Sequence, residues 1–163
     1  MQLSDRSIRR LLGIGYLGID PRPADRAFQP STVDLTLGAL KTTDNEPLTL
    51  PYVLRPNEFI LGGTIEELVV PRDIACQIKG KSTWARQGLM VECAGFIDPG
   101  FNGVPTLEIK NLHHSKDIVL RYEDYIAQIA FWQTDFPCSR PYGDPELGSH
   151  YQGQRGVTPA RVY

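Results

Sequence analysis

Between Lys79 and Asn111 the sequence gathers a cation, hydroxyls and carboxylates in a pattern suited to a phosphorylated ligand. The run Gly80-Lys81-Ser82-Thr83 offers backbone N–H groups, two hydroxyls and an ammonium, the equipment for holding phosphate oxygens, and Arg86 follows three residues later. Downstream, Asp98 sits in the turn sequence Ile97-Asp98-Pro99-Gly100. Glu108 lies in the alternating run Leu107, Glu108, Ile109, Lys110, which reads as a strand. A phosphate-ready turn followed by two carboxylates points to a nucleotide site.

Each motif also has a plainer reading. Taken alone, Gly80 to Thr83 is an ordinary polar β-turn, and Asp-Pro-Gly is good turn chemistry without any catalytic demand. Glu108 is a general-base candidate where its strand face lines a pocket, and simply a solvated residue where it does not. Periodicity does not choose between these. A P-loop is a poor fit: its spacing requires glycine at position 75, where Ala75 stands, and the flanks read as strand on both sides.

Metal chemistry finds little purchase. His113 and His114 are adjacent and not spaced for joint ligation, and no His-x-Glu precedes a Pro-Cys-x-x-Cys, so the zinc deaminase signature is absent. Cys76, Cys93 and Cys138 form no Cys-x-x-Cys pair. We expect no zinc. A formal net charge of −2 argues against a nucleic-acid polymer as partner, so any anion must be held by a local positive field. The basic residues Arg6, Arg9 and Arg10 read as a solvated face or an intersubunit contact. No apolar run approaches a membrane span and the first ten residues mix acid and base, so the expected compartment is the cytoplasm, with no membrane partner.

The positioning elements are mostly short strands. Ser4 and Asp5 ahead of Ile8, Leu11 and Leu12 predict a capped amphipathic helix of about two turns ended by Gly13 and Gly15. In Ser31 to Gly38, Val33, Leu35 and Leu37 alternate inward, which leaves Asp34 facing away from the core. Lys41 to Pro51 reads as an irregular connection or hairpin. Strands are expected at Tyr52–Leu54, Phe59–Leu61, Glu67–Val70, Ile74–Ile78, Ile118–Leu120 and Tyr125–Trp132, with one helical turn from Ser82 to Gln87. With 15 glycines and 13 prolines punctuating them, these predict an all-β sandwich or barrel in a single domain spanning 1–163. From Pro137 to Tyr163 the period is lost, and a tail is expected that stays mobile until something organises it.

Six dispersed segments then carry a family resemblance. QPSTVDLTLG from Gln29, LRPNEFILG from Leu54, GKSTWARQGLM from Gly80, AGFIDPGFNG from Ala94, TLEIKN from Thr106 and YQGQRGVTPAR from Tyr151 together resemble the dCTP deaminase branch of the trimeric dUTPase superfamily. The resemblance covers nearly the whole chain in order. It implies a distorted β-barrel assembling as a homotrimer with active sites between subunits, and a zinc-independent conversion of dCTP to dUTP, which some members continue to dUMP and pyrophosphate. AGFIDPGF resembles the latter group more than the strictly dUTP-forming one. The other readings are a dUTP diphosphatase without deaminase activity and a catalytically silent nucleotide-binding regulator.

By the same resemblance, Glu108 is the expected proton shuttle, Ser82 the group holding water or the exocyclic amine, and Arg86 the partner that orients Glu108. Lys81, Ser82 and Thr83 match contacts to the triphosphate, whose Mg2+ is held mainly by the phosphates themselves. Asp98 matches the acid near the deoxyribose 3′-hydroxyl, and Tyr151, Gln154 and Arg161 belong to a C-terminal segment, 137–163, that closes over the nucleotide. Two departures stand out. Where the family carries a histidine and a threonine beside the pyrimidine, this chain has Leu89-Met90-Val91-Glu92-Cys93, and His150 replaces a lysine before the tail tyrosine.

Overall fold

The computed structural model describes residues 1–91 and 94–161. A short helix α1 (Asp5–Gly13) is followed by β1 (Gly18–Asp20), β2 (Thr32–Lys41), β3 (Pro47–Leu48), β4 (Tyr52–Leu54), β5 (Phe59–Thr64), β6 (Glu67–Val69) and β7 (Ile74–Gly80). A single helical turn α2 (Ser82–Ala85) leads to β8 (Leu89–Val91), β9 (Phe96–Ile97), β10 (Asn102–Gly103), β11 (Thr106–Asn111), β12 (Ile118–Leu120) and β13 (Tyr125–Gln133).

One sheet dominates, in the order β8-β11-β5-β2-β13-β7-β9 with β3 appended to β2, and it curls into half a barrel. A three-stranded sheet β1-β6-β10 and the pair β12-β4 complete the strands among the described residues. The mainly β fold expected from the sequence is therefore present. Alternation sets which side of each strand is inside. Val33, Leu35 and Leu37 of β2, Ile129 and Phe131 of β13, and Leu107 and Ile109 of β11 are all fully buried in one core. Ile8 of α1 joins it. The helix forms where expected and Gly15 leaves it with φ 69°, but Ser4 caps through its backbone only: its hydroxyl makes no capping bond, and Ile8 N donates to Ser4 O at 2.9 Å.

Two expectations need correction. Asp34 occupies the opposite side of β2 from Leu35, yet it is buried, 4% exposed, because Gln29 and Lys81 fold over that side of the strand. The C-terminal segment is not loose either. Within 137–161, Tyr142 N donates to Pro99 O at 2.8 Å, Gly153 N to Asn102 O at 2.7 Å and Val104 N to Gln154 O at 2.9 Å, while Val157 is buried against Gly63. Arg155 also pairs with Glu67. Backbone pairing of this kind needs no hydrophobic period, so the sequence pattern carried no sign of it.

A buried acid stitches an irregular place in the sheet. Between Leu37 and Ala39 the register of β2 on β5 shifts, and Glu66 reaches across to accept from Thr36 N at 2.9 Å and Thr36 Oγ1 at 2.7 Å. Burial pushes its carboxyl above the usual range, against the opposing pull of those hydrogen bonds. The Lys41–Pro51 connection is a hairpin: Leu40 pairs with Leu48, Thr42 N donates to Glu46 O at 2.9 Å, and Asn45 takes the positive φ of 71° that the turn requires. No helix among the described residues is long and apolar enough to cross a membrane.

Candidate active site

A cleft of about 440 Å³ opens beside β11. Its floor is apolar, from Phe59, Leu61, Ile78 and Phe101, and two carboxylates enter it, Asp98 and Glu108. The ambiguity over Glu108 is resolved by its strand. Leu107 and Ile109 are 1% and 0% exposed and point into the core, so Glu108 between them projects from the other side of β11, where it is half-buried in the cleft wall. Asp98 is placed by the turn after β9: Phe101 N donates to Asp98 O at 3.2 Å, and Gly100 adopts φ 95°, with the tail so close that an added Cβ would meet Pro141 Cβ at 2.5 Å.

The tail supplies the facing wall. Tyr142, Tyr151 and Gln154 line the same cleft. Tyr142 packs its ring on Phe101 with centroids 5.8 Å apart, and its hydroxyl accepts from Tyr151 N at 3.0 Å. Gln154 is 8% exposed; its Nε2 donates to Val104 O at 2.6 Å, while its Oε1 is buried with no partner among the described residues. Arg161 N donates to Tyr151 Oη at 3.4 Å, and its guanidinium lies 5.9 Å from the Tyr151 ring. The sequence singles out Tyr151, Gln154 and Arg161 in the tail but not Tyr142, whose only signal is an aromatic residue beside Pro141.

The Gly80–Thr83 turn lies elsewhere. Gly80 ends β7 opposite Ala127 of β13, and α2 closes with Ala85 N donating to Lys81 O and Arg86 N to Ser82 O, both at 3.0 Å. The Trp84 indole donates to Tyr125 O at 2.9 Å. Ser82, Thr83 and Arg86 are exposed, and their side chains make no hydrogen bond or ion pair among the described residues. Lys81 turns inward to Asp34. None of Lys81, Ser82, Thr83 and Arg86 lines the cleft. Within one chain, then, the structure gathers Asp98, Glu108, Tyr151 and Gln154, and leaves the phosphate-ready turn pointing outward. Glu92 and Cys93, the departure noted beside the pyrimidine-facing segment, lie outside the described residues. His113 serves its own loop, its Nδ1 accepting from Ser115 N and Lys116 N, both at 3.1 Å, and its ring stacking on His114.

The chain matches the dCTP deaminase-like family model over residues 41–134. It is 41% identical over 185 residues to the "dCTP deaminase, dUMP-forming" of Mycobacterium sp. (strain KMS), covering 100% of this chain and 96% of the relative. A protein of the same description from Rhodococcus opacus (strain B4) is 42% identical, with 100% and 97% covered. Among solved structures, 2′-deoxycytidine 5′-triphosphate deaminase from Agrobacterium tumefaciens aligns with a TM-score of 0.65 at 22% identity, over 80% of this chain and 47% of that one, so this chain spans about half of that structure's length. Native EIAV dUTPase aligns with a TM-score of 0.57 at 21% identity, over 77% and 95%. Those two likenesses speak for the fold, and the full-length relatives for the lineage: the chain belongs to the dCTP deaminase-like family.

Proposed function

We propose that the protein hydrolyses dCTP to dUTP and ammonia, and carries dUTP on to dUMP and pyrophosphate. Full-length identity of about two residues in five to relatives described as dUMP-forming is the observation that carries this reading. The cleft geometry supports it, since two carboxylates, Asp98 and Glu108, line one space of about 440 Å³ walled by the tail residues Tyr142, Tyr151 and Gln154. Glu108 takes a proton from water as the oxygen bonds to C4, returns a proton to the ring nitrogen N3, and a further transfer lets the amine leave as ammonia. Asp98 holds the deoxyribose and, in the second step, the water that attacks the α-phosphate.

Ser82, Thr83 and Arg86 are exposed donors without partners among the described residues, and they lie away from the cleft that holds Glu108. They complete the cleft of a neighbouring copy, which makes the working unit a homotrimer with sites between subunits. There Ser82 holds the water or exocyclic amine, Arg86 orients Glu108, and the turn that Lys81 begins meets the triphosphate through its backbone N–H groups and the hydroxyls of Ser82 and Thr83. Tyr151, Gln154 and Arg161 belong to the tail that closes over the nucleotide, within one domain covering the chain. Closure excludes water other than the reacting molecule.

Mg2+ bound by the phosphates themselves would offset their charge. Among the described residues no group of three or more acids, histidines or cysteines could hold a metal, a donor set that fits an ion carried by the phosphates. The deamination in this reading uses no zinc, with Glu108 taking the proton from a water that no metal activates, and the compartment that goes with it is the cytoplasm.

Incubation with dCTP and Mg2+, then separately with dUTP, tests the reading by following ammonia, dUMP and pyrophosphate. Ammonia and dUMP from dCTP are expected. Absence of ammonia with pyrophosphate from dUTP would leave a dUTP diphosphatase, and absence of both products with tight nucleotide binding would leave a regulator.

A further inference from the structure

If the Gly80–Thr83 turn takes the triphosphate, as proposed above, it needs an anchor, because α2 is one turn long and its outward residues are exposed. That anchor lies beneath it. Lys81 Nζ is 2.5 Å from Asp34 Oδ2, with 21% of the lysine side chain and 5% of the aspartate side chain exposed. Gln29 Nε2 donates to the same oxygen at 3.2 Å, and the Tyr125 ring centroid is 5.8 Å from the ammonium. Tyr125 also receives the Trp84 indole on its backbone oxygen, so strand β13 grips the turn from a second side.

Asp34 Oδ1 is buried with no hydrogen-bond partner among the described residues. A carboxylate at that depth with one oxygen unserved is tolerated through its ion pair, and breaking such a pair by removing one member leaves an uncompensated charge. The ammonium is committed to it. The pair is electrically neutral, so the positive charge that the turn presents outward is that of Arg86.

We propose that Asp34 is a positioning residue for the phosphate-binding turn: it acts through Lys81, and the ion pair tethers the turn to β2, so that Ser82, Thr83 and Arg86 are held in fixed geometry while Lys81 serves as the tether. A role thereby falls to a residue of the QPSTVDLTLG segment that does not line the cleft.

The test uses Asp34→Asn, which keeps shape, Lys81→Met, which keeps most of the stem, and the double variant, which removes both charges. Steady-state deamination of dCTP is read together with hydrogen exchange at the Ala85 and Arg86 amides, which bond to Lys81 O and Ser82 O. Each single variant is expected to raise KM for dCTP about tenfold, the scale of one hydrogen bond to a charged group. The double variant should be no worse than the more affected single, since the pair acts as a unit. The two amides should exchange faster in Asp34→Asn while those of Ile129 and Phe131 keep their rates. A merely global loss of stability would lower the active fraction and leave KM alone.

Wild-type KM and exchange in Asp34→Asn would overturn the proposal. So would effects that multiply, or a KM in Lys81→Met far above that of Asp34→Asn, which would make Lys81 a phosphate ligand in its own right. Should the wild-type protein release no ammonia from dCTP, the nucleotide reading fails separately. The exchange rates in Asp34→Asn still decide the tether: faster at Ala85 and Arg86 supports it, unchanged sinks it.

Discussion

Replacing Glu66 by glutamine should stabilise the protein at neutral pH, although it removes a side chain with two good hydrogen bonds. Glu66 is 5% exposed and accepts from Thr36 N and Thr36 Oγ1. A glutamine fits the same contacts, with its oxygen accepting from Thr36 N and its amide group donating to the hydroxyl, which can accept as readily as it donates. What changes is charge. The Glu66 carboxyl is pushed up from its ordinary 4.5 chiefly by burial, so the folded state holds its proton to higher pH than the unfolded state. A raised acid contributes stability below the unfolded value, and loses it as pH rises through the folded one.

Wild type and Glu66→Gln should therefore be alike below about pH 4. They should diverge in favour of the variant as pH climbs through the raised value, and keep a constant gap above it. The gap is about 1.4 kcal/mol for each unit by which the carboxyl is raised, or roughly 2–4 °C in Tm per kcal/mol for a chain of this size. Glu66→Ala is the control: it leaves Thr36 N without an acceptor and should cost about 1–3 kcal/mol for that group, with a cavity term added. Urea unfolding of the three proteins from pH 4 to 8 reads the result. A glutamine variant less stable than wild type at pH 7, or one whose difference from wild type ignores pH, would show that burial of the charge is not what governs this site.

Glu108→Gln should lower deamination by about 10²–10⁴-fold, the usual share of a general base, while nucleotide binding, measured by calorimetry, persists because Leu107 and Ile109 still fix the strand. Gly63→Ala places a Cβ 2.9 Å from Val157 Cγ2 and should loosen the tail; limited proteolysis should then cut within residues 137–161 faster than in wild type, with the half-barrel sheet intact. Burial pushes the Cys76 thiol well up, so under native conditions a maleimide should label Cys138 and spare Cys76, as peptide mapping can show.

The strands were legible because they obey a period of two. Val33, Leu35, Leu37, Ile129 and Phe131 announce their side of the sheet, and each is fully buried. The acids were legible as types and illegible as places. Glu108 reads the same whether its side of β11 meets water or a cleft: the strand fixes which side it takes, and the packing of the tail and of residues 94–101 around that side makes the cleft. Asp34 went astray for the complementary reason: alternation correctly put it opposite Leu35, but the residues that bury it, Gln29 and Lys81, arrive from outside the strand. Tail docking left no mark in the hydrophobic period, since Gly153 and Gln154 pair largely through backbone groups that every sequence possesses; only the family resemblance pointed to it.

The middle of the main sheet joins β2 to β13, so its central pairing, Val33 with Ile129 and Leu35 with Ala127, links positions more than ninety residues apart. Loop closure of that length must precede the contacts that reward it, which predicts slow, cooperative folding for a chain of this size. The chain is thus committed late: a ribosome-bound intermediate ending before Tyr125 has β2 as an open edge exposing its central backbone groups, a state in which pairing with another chain competes with completing the fold.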